Sequence, residues 1–346
     1  MKRWRVGMVG YGWAAGAHMG ALDLIDRFEV AAVCTSREDI DEAELERRHG
    51  RPIELVRDVG ELIARPDIDV IDLCSRSNLH ADQAVSAARA GKHLIIEKPV
   101  SLDLGGLRAV QAAVAEAGVR TCVCLQVRFS PQFAMTRSLV GGALIGPLHY
   151  GEVDYFHNIG PEVSQYEWNL RSDGGGSSLL TAGCHALDGL LLFMDEPVTE
   201  VMTYATSSPH PSFSRYEYPT STVTILRFAS GAVGKVASIV DSHQPYYLRV
   251  HLVGSEGTVL DGKLWSKGIA ALDPDRWTEL GVQLESLNVV DEPYLLQFQE
   301  LADALDGDRE MALTSLADAA RTFEVVFAAD RSAELGRPVR MTEISP

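Results

Sequence analysis

The feature that most constrains this chain is an apolar run near the amino end that stops at a glycine-rich turn. Residues 5–9 have the composition of a buried strand, and the next seven residues read GYGWAAG and lead into a helical pattern. Glycines permit a tight turn and close approach of a pyrophosphate, and the helix start supplies N–H donors. The order of strand, turn and helix predicts a dinucleotide site, with glycines that serve the turn alone as the alternative. The predicted cofactor contacts in this turn are Gly10, Gly12, Trp13, Ala14 and Ala15.

The end of the second predicted strand, residues 29–34, indicates which dinucleotide is bound. An acidic residue at this point holds the ribose hydroxyls of NAD, whereas this chain has Thr35, Ser36 and Arg37 as its candidate contacts. Hydroxyl groups and a guanidinium suit a 2′-phosphate, so the sequence favours NADP over NAD. Asp39 lies close by in the sequence. An Arg37 that is merely solvated at the start of a helix is the alternative.

Another apolar run, residues 93–96, ends in Glu97, Lys98 and Pro99. Because proline cannot extend a sheet ladder, this run is predicted to be a buried strand whose carboxyl end opens onto a crevice. Ligands collect at such strand ends in open α/β sheets. Lys98 is therefore the first candidate for chemistry, and Glu97 and Lys98 are candidate cofactor contacts. A surface lysine in a tight turn is the alternative.

The strand before this one, residues 70–74, ends in a polar stretch that is predicted to face the same crevice. Ser75, Asn78 and His80 are candidate cofactor contacts there, and a helix cap by Asn78 is the alternative. Short apolar runs alternate with helical patterns as far as residue 125. This alternation predicts an α/β doubly wound parallel sheet, a Rossmann domain over residues 1–126.

Beyond residue 126 the pattern changes, because most strand-like runs follow one another without an intervening helix. Such an order predicts an α+β domain over residues 127–346 with a large, mostly antiparallel sheet. One face of a sheet like this is open. Open faces commonly become subunit interfaces, so a homodimer or homotetramer is expected.

One helix interrupts these strands behind an unusual entrance. The stretch WNLRSDGGGS ends at Ser177, which is placed to cap the following helix. Thr181, His185 and Asp188 fall on one face of that helix, because spacings of four and three residues bring side chains to the same side. A core histidine is the ordinary explanation of His185. Together with Lys98, however, His185 indicates acid/base chemistry, since an alcohol that loses a hydride must also lose its hydroxyl proton.

The composition narrows the choice of partners. A chain of 346 residues, 46% hydrophobic and 23% charged, suits two globular domains. The net charge of -17 argues against nucleic acid as a partner. The five cysteines lie in apolar runs without C-x-x-C spacing, which predicts no metal site and fits a reducing compartment, the cytoplasm. The sequence has no run of the length and apolarity of a membrane span.

Taken together, these motifs resemble the glucose-fructose oxidoreductase, inositol dehydrogenase and rhizopine-catabolism (Gfo/Idh/MocA) family. The resemblance covers nearly the whole chain and is carried by the glycine turn, the run AGKHLIIEKP, the WNLRSDGGG entrance, the helix with Gly183, His185 and Asp188, and the tetrapeptide GSEG. It implies an NAD(P)-dependent oxidoreductase acting on a sugar, a sugar derivative or an inositol. It also implies that Lys98 is the acid/base, that His185 lies near the reacting carbinol and that the bond before Pro99 is cis.

One position departs from this pattern. Many relatives carry Asp four residues before the histidine, where this chain has Thr181. Either Lys98 works with His185 while Asp188 or Asp173 supplies charge, or the chemistry differs from simple alcohol oxidation. The expected substrate contacts, for each of which packing or a salt bridge is an alternative, are Lys98, Arg128, His157, Trp168, Arg171, Thr181 and His185.

Three functions compete at this point. The first is a dehydrogenase or reductase of a sugar or polyol. The second is a sugar-processing enzyme that uses the nicotinamide transiently, with no net redox, while a glycosidic bond breaks. The third is a non-catalytic, cofactor-sensing regulator on the same fold. Lys98 and His185 disfavour the third, because a regulator needs neither.

Overall fold

A computed structural model describes residues 2–281 and 293–344 of the chain. The described residues form two compact units. The first comprises those within Met1–Gln126 and Glu292–Ala320, and the second those within Val127–Asp291 and Arg321–Pro346. The stretch at 293–320 thus returns to the first unit, whereas the sequence analysis assigned all of residues 127–346 to a second domain.

The helices and strands follow the expected order closely. The chain begins with β1 Trp4–Val9, α1 Trp13–Leu22, β2 Phe28–Cys34, α2 Glu42–His49, β3 Glu54–Val56, α3 Val59–Ala64, β4 Val70–Leu73, α4 Ser77–Arg89, β5 His93–Ile96, α5 Leu104–Ala117 and β6 Thr121–Val123. It continues with α6 Pro131–Gly141, β7 Leu148–Phe156, α7 Tyr166–Asn169, a π-helical turn Leu179–Gly183, α8 Cys184–Met194, β8 Val198–Thr206, β9 Ser221–Phe228, β10 Val233–Ile239, β11 Tyr247–Gly254, β12 Gly257–Leu260, β13 Lys263–Ser266, β14 Thr278–Glu279, α9 Tyr294–Asp306, α10 Leu316–Leu335 and β15 Val339–Arg340. Two 3-10 turns lie at Gln126–Phe129 and Met341–Glu343.

The first unit contains one six-stranded parallel sheet in the order β3-β2-β1-β4-β5-β6. This confirms the predicted doubly wound sheet. Its strands are short apolar runs, as expected for strands buried on both faces. The side chains of Asp41, Asp58 and Asp103 accept N–H bonds from the first turns of α2, α3 and α5, so each helix starts on an acidic cap. The strand order reverses where β1 and β4 meet, and ligands of open α/β sheets bind at such a reversal.

Helix α9 and the residues after it complete the first unit. The rings of Tyr294 and Phe298 pack edge-on against His18 of α1, with centroids 4.7 and 5.0 Å away. The N–H of Val123 in β6 donates to the carbonyl of Thr314 at 2.8 Å, which ties the following segment to the edge of the sheet. These contacts explain why residues 293–320 belong to this unit.

The second unit contains a nine-stranded sheet in the order β14-β13-β12-β11-β7-β10-β9-β8-β15. Every pair of neighbours is antiparallel except β7 and β10, which confirms the predicted, mostly antiparallel sheet. The sequence analysis did not predict β13, β14 or β15. These strands are only four, two and two residues long, too short to show an alternating pattern.

Helix α8 lies on one face of this sheet and leaves the other open. A Cβ built at Gly151 or Gly234 would fall 2.7 or 2.8 Å from the side chain of Leu190, so the helix and the sheet are in close contact. Along β9, buried residues alternate with exposed ones, and Val223 and Ile225 point away from the helix with 38% and 41% of their surface exposed. Over the described parts of the chain, no helix has both the length and the apolarity to cross a bilayer.

Candidate active site

In the first unit, the carboxyl ends of β1, β4 and β5 lie side by side, because these strands are neighbours in a parallel sheet. The glycine turn leaves the end of β1 and passes directly over the end of β4. Gly10 has a φ of +97°, and a Cβ there would lie 2.4 Å from the carbonyl oxygen of Cys74. Only glycine fits a position that combines left-handed backbone with so close an approach.

The start of α1 has the properties of a phosphate-binding helix terminus. Gly12 is the N-cap and provides no side-chain cap, and a Cβ at Gly12 would meet no protein atom within 4 Å. The first N–H groups of a helix have no partner within it, and an anion at this helix start is stabilised by them and by the helix dipole. Trp13 is 45% exposed at this entrance. Ala14 is half-buried and Ala15 is fully buried under the turn. The residues present thus fit a dinucleotide.

The end of β2 carries the predicted specificity residues. Thr35 is buried, and its hydroxyl accepts an N–H bond from Arg37 at 3.2 Å. Ser36 and Arg37 are exposed. The guanidinium of Arg37 donates to the carbonyl of Tyr11 in the glycine turn at 3.2 Å and to both oxygens of Asp39 at 3.0 and 2.5 Å. Arg37 is therefore held beside the glycine turn, and its positive charge is paired with the carboxylate of Asp39.

At the end of β4, two of the three predicted cofactor contacts have polar atoms that are hydrogen-bonded within the protein. Ser75 donates to the side chain of Gln83 at 2.6 Å. His80 is buried, with Nδ1 2.8 Å from the carbonyl oxygen of Pro99 and Nε2 3.1 Å from that of Ser75, so it braces the two loops from below. Asn78 is exposed inside the first turn of α4. The N-cap of that helix is Arg76, so the alternative of a cap by Asn78 is wrong.

The end of β5 carries the Glu-Lys-Pro segment. The bond between Lys98 and Pro99 is cis, as the resemblance implied, and Lys98 is half-buried. Glu97 is turned inward. One carboxylate oxygen of Glu97 accepts from the ring of His18 at 3.1 Å and from the hydroxyl of Tyr294 at 2.7 Å, and the other accepts from the N–H of Lys98 at 2.9 Å.

The charge state of Glu97 follows from these contacts. Burial, the largest single influence, would raise the pKa of its carboxyl, but the hydrogen bond and charge of His18, the charge of Lys98 and the hydrogen bond from Tyr294 together outweigh burial and lower this pKa to about 2. Glu97 therefore stays ionised directly beneath the backbone of Lys98.

In the second unit, His185 lies near the start of α8, just beyond the π-helical turn. A Cβ at Gly183 would lie 2.3 Å from the side chain of Ser238 in β10, so this position must be glycine for the turn to rest on the sheet. The hydroxyl of Ser177 accepts the N–H of Leu180 at 3.1 Å, which confirms the predicted cap. π-helical turns often mark functional segments. His185 is buried, and its ring stacks on that of Tyr155 at a centroid distance of 6.4 Å.

Hydroxyl groups surround this helix face. The hydroxyl of Thr181 lies 2.9 Å from that of Tyr218 and 3.0 Å from the carbonyl oxygen of Gly175. The hydroxyl of Tyr218 donates its proton to the carbonyl of Asn169 at 2.6 Å. His157 is half-buried, with Nδ1 3.0 Å from the hydroxyl of Tyr155. Neutral hydrogen-bonding groups therefore stand where the sequence analysis looked for a carboxylate.

Both carboxylates that the sequence analysis considered as substitutes are held by arginines. Asp188 accepts from the buried guanidinium of Arg128 at 2.6 and 2.5 Å, and Thr322 donates to it at 2.7 Å. Asp173 accepts from the exposed side chain of Arg171 at 2.6 and 2.7 Å. These salt bridges are the alternative roles that were weighed for Arg128 and Arg171. Trp168 is half-buried and packs over Gly174.

Comparison with known proteins decides the family. The family model described as the Gfo/Idh/MocA oxidoreductase family, NAD-binding Rossmann fold, matches residues 4–125, and the model of the Gfo/Idh/MocA C-terminal domain matches residues 133–260. The two models lie in the expected order and together cover most of the chain. The chain belongs to the Gfo/Idh/MocA family of oxidoreductases.

Relatives within this family are distant. The scyllo-inositol 2-dehydrogenase (NAD(+)) of Bacillus subtilis (strain 168) is 24% identical over 302 residues, which are 84% of this chain and 86% of that protein. The myo-inositol 2-dehydrogenase of Thermotoga maritima is 27% identical over 255 residues, 74% of each chain. The structure of a levoglucosan dehydrogenase in complex with NADH and levoglucosan superposes with a TM-score of 0.86 and 22% identity, over 98% of this chain and 100% of that one.

The family assignment accounts for the fold and for NAD(P)-dependent oxidoreductase chemistry at a Rossmann domain. It leaves several site residues of this Gfo/Idh/MocA protein unanticipated. His18, Asp72 and Tyr294 in the first unit and Tyr218 in the second contact predicted site residues or their neighbours. No motif marked them, because each is distant in sequence from its partner.

Proposed function

We propose that this protein transfers a hydride between a nicotinamide dinucleotide and a secondary alcohol or ketone of a sugar, a sugar derivative or an inositol. The observation that carries the proposal is the placement of Lys98 at the end of β5, on the same sheet edge as the open start of α1. When bound, the cofactor supplies the hydride acceptor or donor. The inositol and levoglucosan dehydrogenases among the relatives support the substrate class.

The chain's own groups are assigned roles by their chemistry. Lys98 exchanges the hydroxyl proton as general acid/base, and His185 hydrogen-bonds the reacting hydroxyl. Thr181 and Tyr218 orient the face of the helix that carries His185, because their hydroxyls are held against backbone carbonyls. Of the remaining substrate candidates, His157 and Trp168 have surface available for a sugar, since both are half-buried.

The cofactor assignment rests on the glycine turn and on the end of β2. The backbone at Gly10, Gly12 and the start of α1 would hold the pyrophosphate. Ser36 and Arg37 would hold the 2′-phosphate of NADP, because both are exposed at the end of β2 and neither is acidic. NADP is therefore the favoured cofactor in this proposal, and the bond from Arg37 to Asp39 must yield for the phosphate to bind.

The deciding experiment mixes the protein with NADP or NAD and a panel of polyols, inositols and aldoses, and then records the absorbance of reduced nicotinamide. Steady reduction with one class of polyol supports the proposal. Sugar conversion without a change in absorbance indicates the enzyme with no net redox. Cofactor binding without turnover of any substrate indicates the regulator.

A homodimer or homotetramer is part of the same proposal. The open face of the nine-stranded sheet presents Tyr204, Val223, Ile225 and Val233 with 70%, 38%, 41% and 38% exposure. Neighbouring apolar side chains of this kind are typical of subunit interfaces. Light scattering of the purified protein is expected to give two or four times the mass of one chain, 37.7 kDa. A variant with Ile225→Glu is expected to give the mass of one chain, and an unchanged mass would exclude this face.

A further inference from the structure

A cluster of polar side chains lies inside the first unit, away from solvent. His18 of α1 is fully buried and lies at its centre. Nδ1 of His18 is 2.9 and 3.0 Å from the two carboxylate oxygens of Asp72 in β4. Nε2 is 3.1 Å from Oε1 of Glu97 at the end of β5. His18 therefore connects the helix that begins at the glycine turn with two strands of the sheet.

These contacts fix the charge of the ring. A neutral imidazole carries one N–H, whereas His18 faces a carboxylate with each nitrogen, and both contacts are hydrogen bonds only if the ring is an imidazolium. Burial, the largest single influence, would lower the pKa of His18, but the charge and hydrogen bond of Asp72 and the contact with Cys74 together outweigh it and raise this pKa well above its usual value. The ring is thus a buried cation between two buried anions.

The other groups around His18 do not supply competing charge. Sγ of Cys74 lies 3.2 Å from Nδ1, and Sγ of Cys124 lies 3.6 Å from Nε2. Burial raises the pKa of both thiols, so both stay neutral. From α9, the rings of Tyr294 and Phe298 close the cluster, and the Tyr294 hydroxyl donates to Glu97.

Glu97 transmits the position of His18 to Lys98. Its Oε1 is held by His18 and Tyr294, and its Oε2 accepts the N–H of Lys98 at 2.9 Å. A carboxylate fixed by three donors cannot turn without moving the backbone that carries Lys98. Loss of the cation would also leave two carboxylates facing an unfilled space, and one of them would then take up a proton.

We propose that His18 is a positioning residue of the reaction: a permanently protonated imidazolium that acts through Glu97 to fix Lys98 relative to the nucleotide-binding turn. The inference rests on the proposed function, in which Lys98 exchanges the substrate proton. The same side chains have metal-ligand chemistry, His18 with Glu97 and Cys124 or with Asp72 and Cys74. In this proposal, the imidazolium of His18 and not a metal ion bridges the two carboxylates.

The first test reads the charge of His18 directly and does not need activity. The ring nitrogens of the ¹⁵N-histidine-labelled protein are observed by NMR from about pH 6 to 9, and His18 is assigned by the signal that is lost in His18→Gln. Two protonated nitrogens over this whole range are expected. A neutral ring at neutral pH, or a stoichiometric metal ion in the purified protein, would overturn the inference.

The second test asks whether His18 acts through Glu97. His18→Gln is expected to lower kcat by about tenfold or more, because small displacements of a reacting group have effects of this size. The Kd of the cofactor is expected to change by less than about threefold, and the pH profile of kcat/KM is expected to gain an ionisation from the released carboxylate. In a Glu97→Gln background, the same substitution is expected to add little, since both act on one contact.

A matched control is His93→Gln, at the other end of β5. His93 is half-buried, and its Nδ1 accepts the N–H of Arg120 at 3.0 Å, so this nitrogen is paired with the backbone and not with a carboxylate. This variant is expected to keep the wild-type pH profile. Additive effects of His18→Gln and Glu97→Gln, or an unaltered pH profile in His18→Gln, would overturn the inference and leave the proposed function standing. If no substrate is turned over, the NMR test still decides the charge of His18.

Discussion

The two units handle buried charge in opposite ways. In the first, ionised groups are gathered directly beneath a candidate catalytic residue: His18, Asp72 and Glu97 form one network, and Glu97 holds the N–H of Lys98. In the second, Asp188 lies one helical turn beyond His185, but its charge is neutralised by Arg128. The hydroxyl of Thr181 contacts that of Tyr218, and the ring of His185 stacks on that of Tyr155.

The difference separates two uses of polar groups. A buried ion pair needs complete partners on every side, since each charge loses its hydration. It therefore fixes geometry tightly, which suits the support of a residue that must exchange a proton. Hydroxyl pairs can reverse donor and acceptor at small cost, which suits the orientation of a substrate with several hydroxyl groups. Under the proposed function, the buried charges around Glu97 support the chemistry of the first unit, whereas the pair of Arg128 and Asp188 is structural in the second.

The strongest way to break this comparison is to remove Asp188. Asp188→Ala removes the carboxylate that accepts two hydrogen bonds from the guanidinium of Arg128, at a place where the Asp188 and Arg128 side chains are only 2% and 4% exposed. We expect the free energy of unfolding of the second unit to fall by about 3–5 kcal/mol, as measured by urea unfolding. The double variant Arg128→Met with Asp188→Leu removes both charges and should recover much of this loss. Wild-type stability of Asp188→Ala would show that the pair has no structural role.

Lys98→Ala is the counterpart in the first unit. We expect turnover to fall by about a hundredfold or more, equivalent to at least about 2.7 kcal/mol, while cofactor affinity and the unfolding midpoint stay near wild type. Cofactor affinity is measured by fluorescence titration. Lys263→Met, at an exposed lysine paired with Glu279 in the second unit, is the control for loss of one positive charge. Undiminished turnover in Lys98→Ala would show that Lys98 is not catalytic, and that the charges beneath it in the first unit do not support catalysis.

Much of the first unit could be predicted from sequence, because the determinants are local. The glycine turn and the Glu-Lys-Pro segment each lie within a few residues of the strand they follow. The charge network could not be predicted, because Asp72 lies 54 positions and Glu97 79 positions beyond His18 in the sequence. A lone histidine in a helix carries no sign of either partner. The sequence analysis did not predict that α9 belongs to the first unit, for the same reason: its partners are distant in the sequence.

In the second unit, the strands could be predicted from the alternation of apolar and polar residues. The contacts of the candidate site could not. Buried and exposed residues alternate along β9, and alternation of this kind predicts a strand. Tyr218 contacts Thr181 across 37 positions from a segment outside any helix or strand, so no periodic pattern exposes it. The π-helical turn was read as ordinary helix, because a single extra residue per turn changes no sequence signal.

The end of β2 tests whether exposed charge in the first unit also serves function. Arg37→Ala should weaken NADP by about tenfold, equivalent to about 1.4 kcal/mol, and NAD much less, since only NADP has the 2′-phosphate. Asp39→Asn is the matched reciprocal change: it releases the guanidinium from its bond to Asp39 and should tighten NADP. Both are read from titrations with the two cofactors. Equal changes for NADP and NAD in either variant would contradict the assignment of the phosphate to Arg37.

The smallest expected effect concerns Asp330. If this carboxyl is ionised, it places a negative charge close to the hydroxyl groups of the second unit. It accepts from Ser177, which caps the helix bearing Thr181, and burial raises its pKa to about 7. The folded protein therefore holds this proton more tightly than the unfolded chain does, and the contribution to stability falls as pH rises from about 4 to 7. Asp330→Asn should remove this dependence of the free energy of unfolding on pH. At pH 8 the variant should be more stable than wild type by about 1 kcal/mol, which is less than the full pKa shift would give because Asp330 is partly exposed. Thermal unfolding of both proteins at pH 5 and pH 8 measures the difference. An equal difference at the two values would mean that Asp330 is ionised throughout, and that the second unit does place a charge beside its hydroxyl groups.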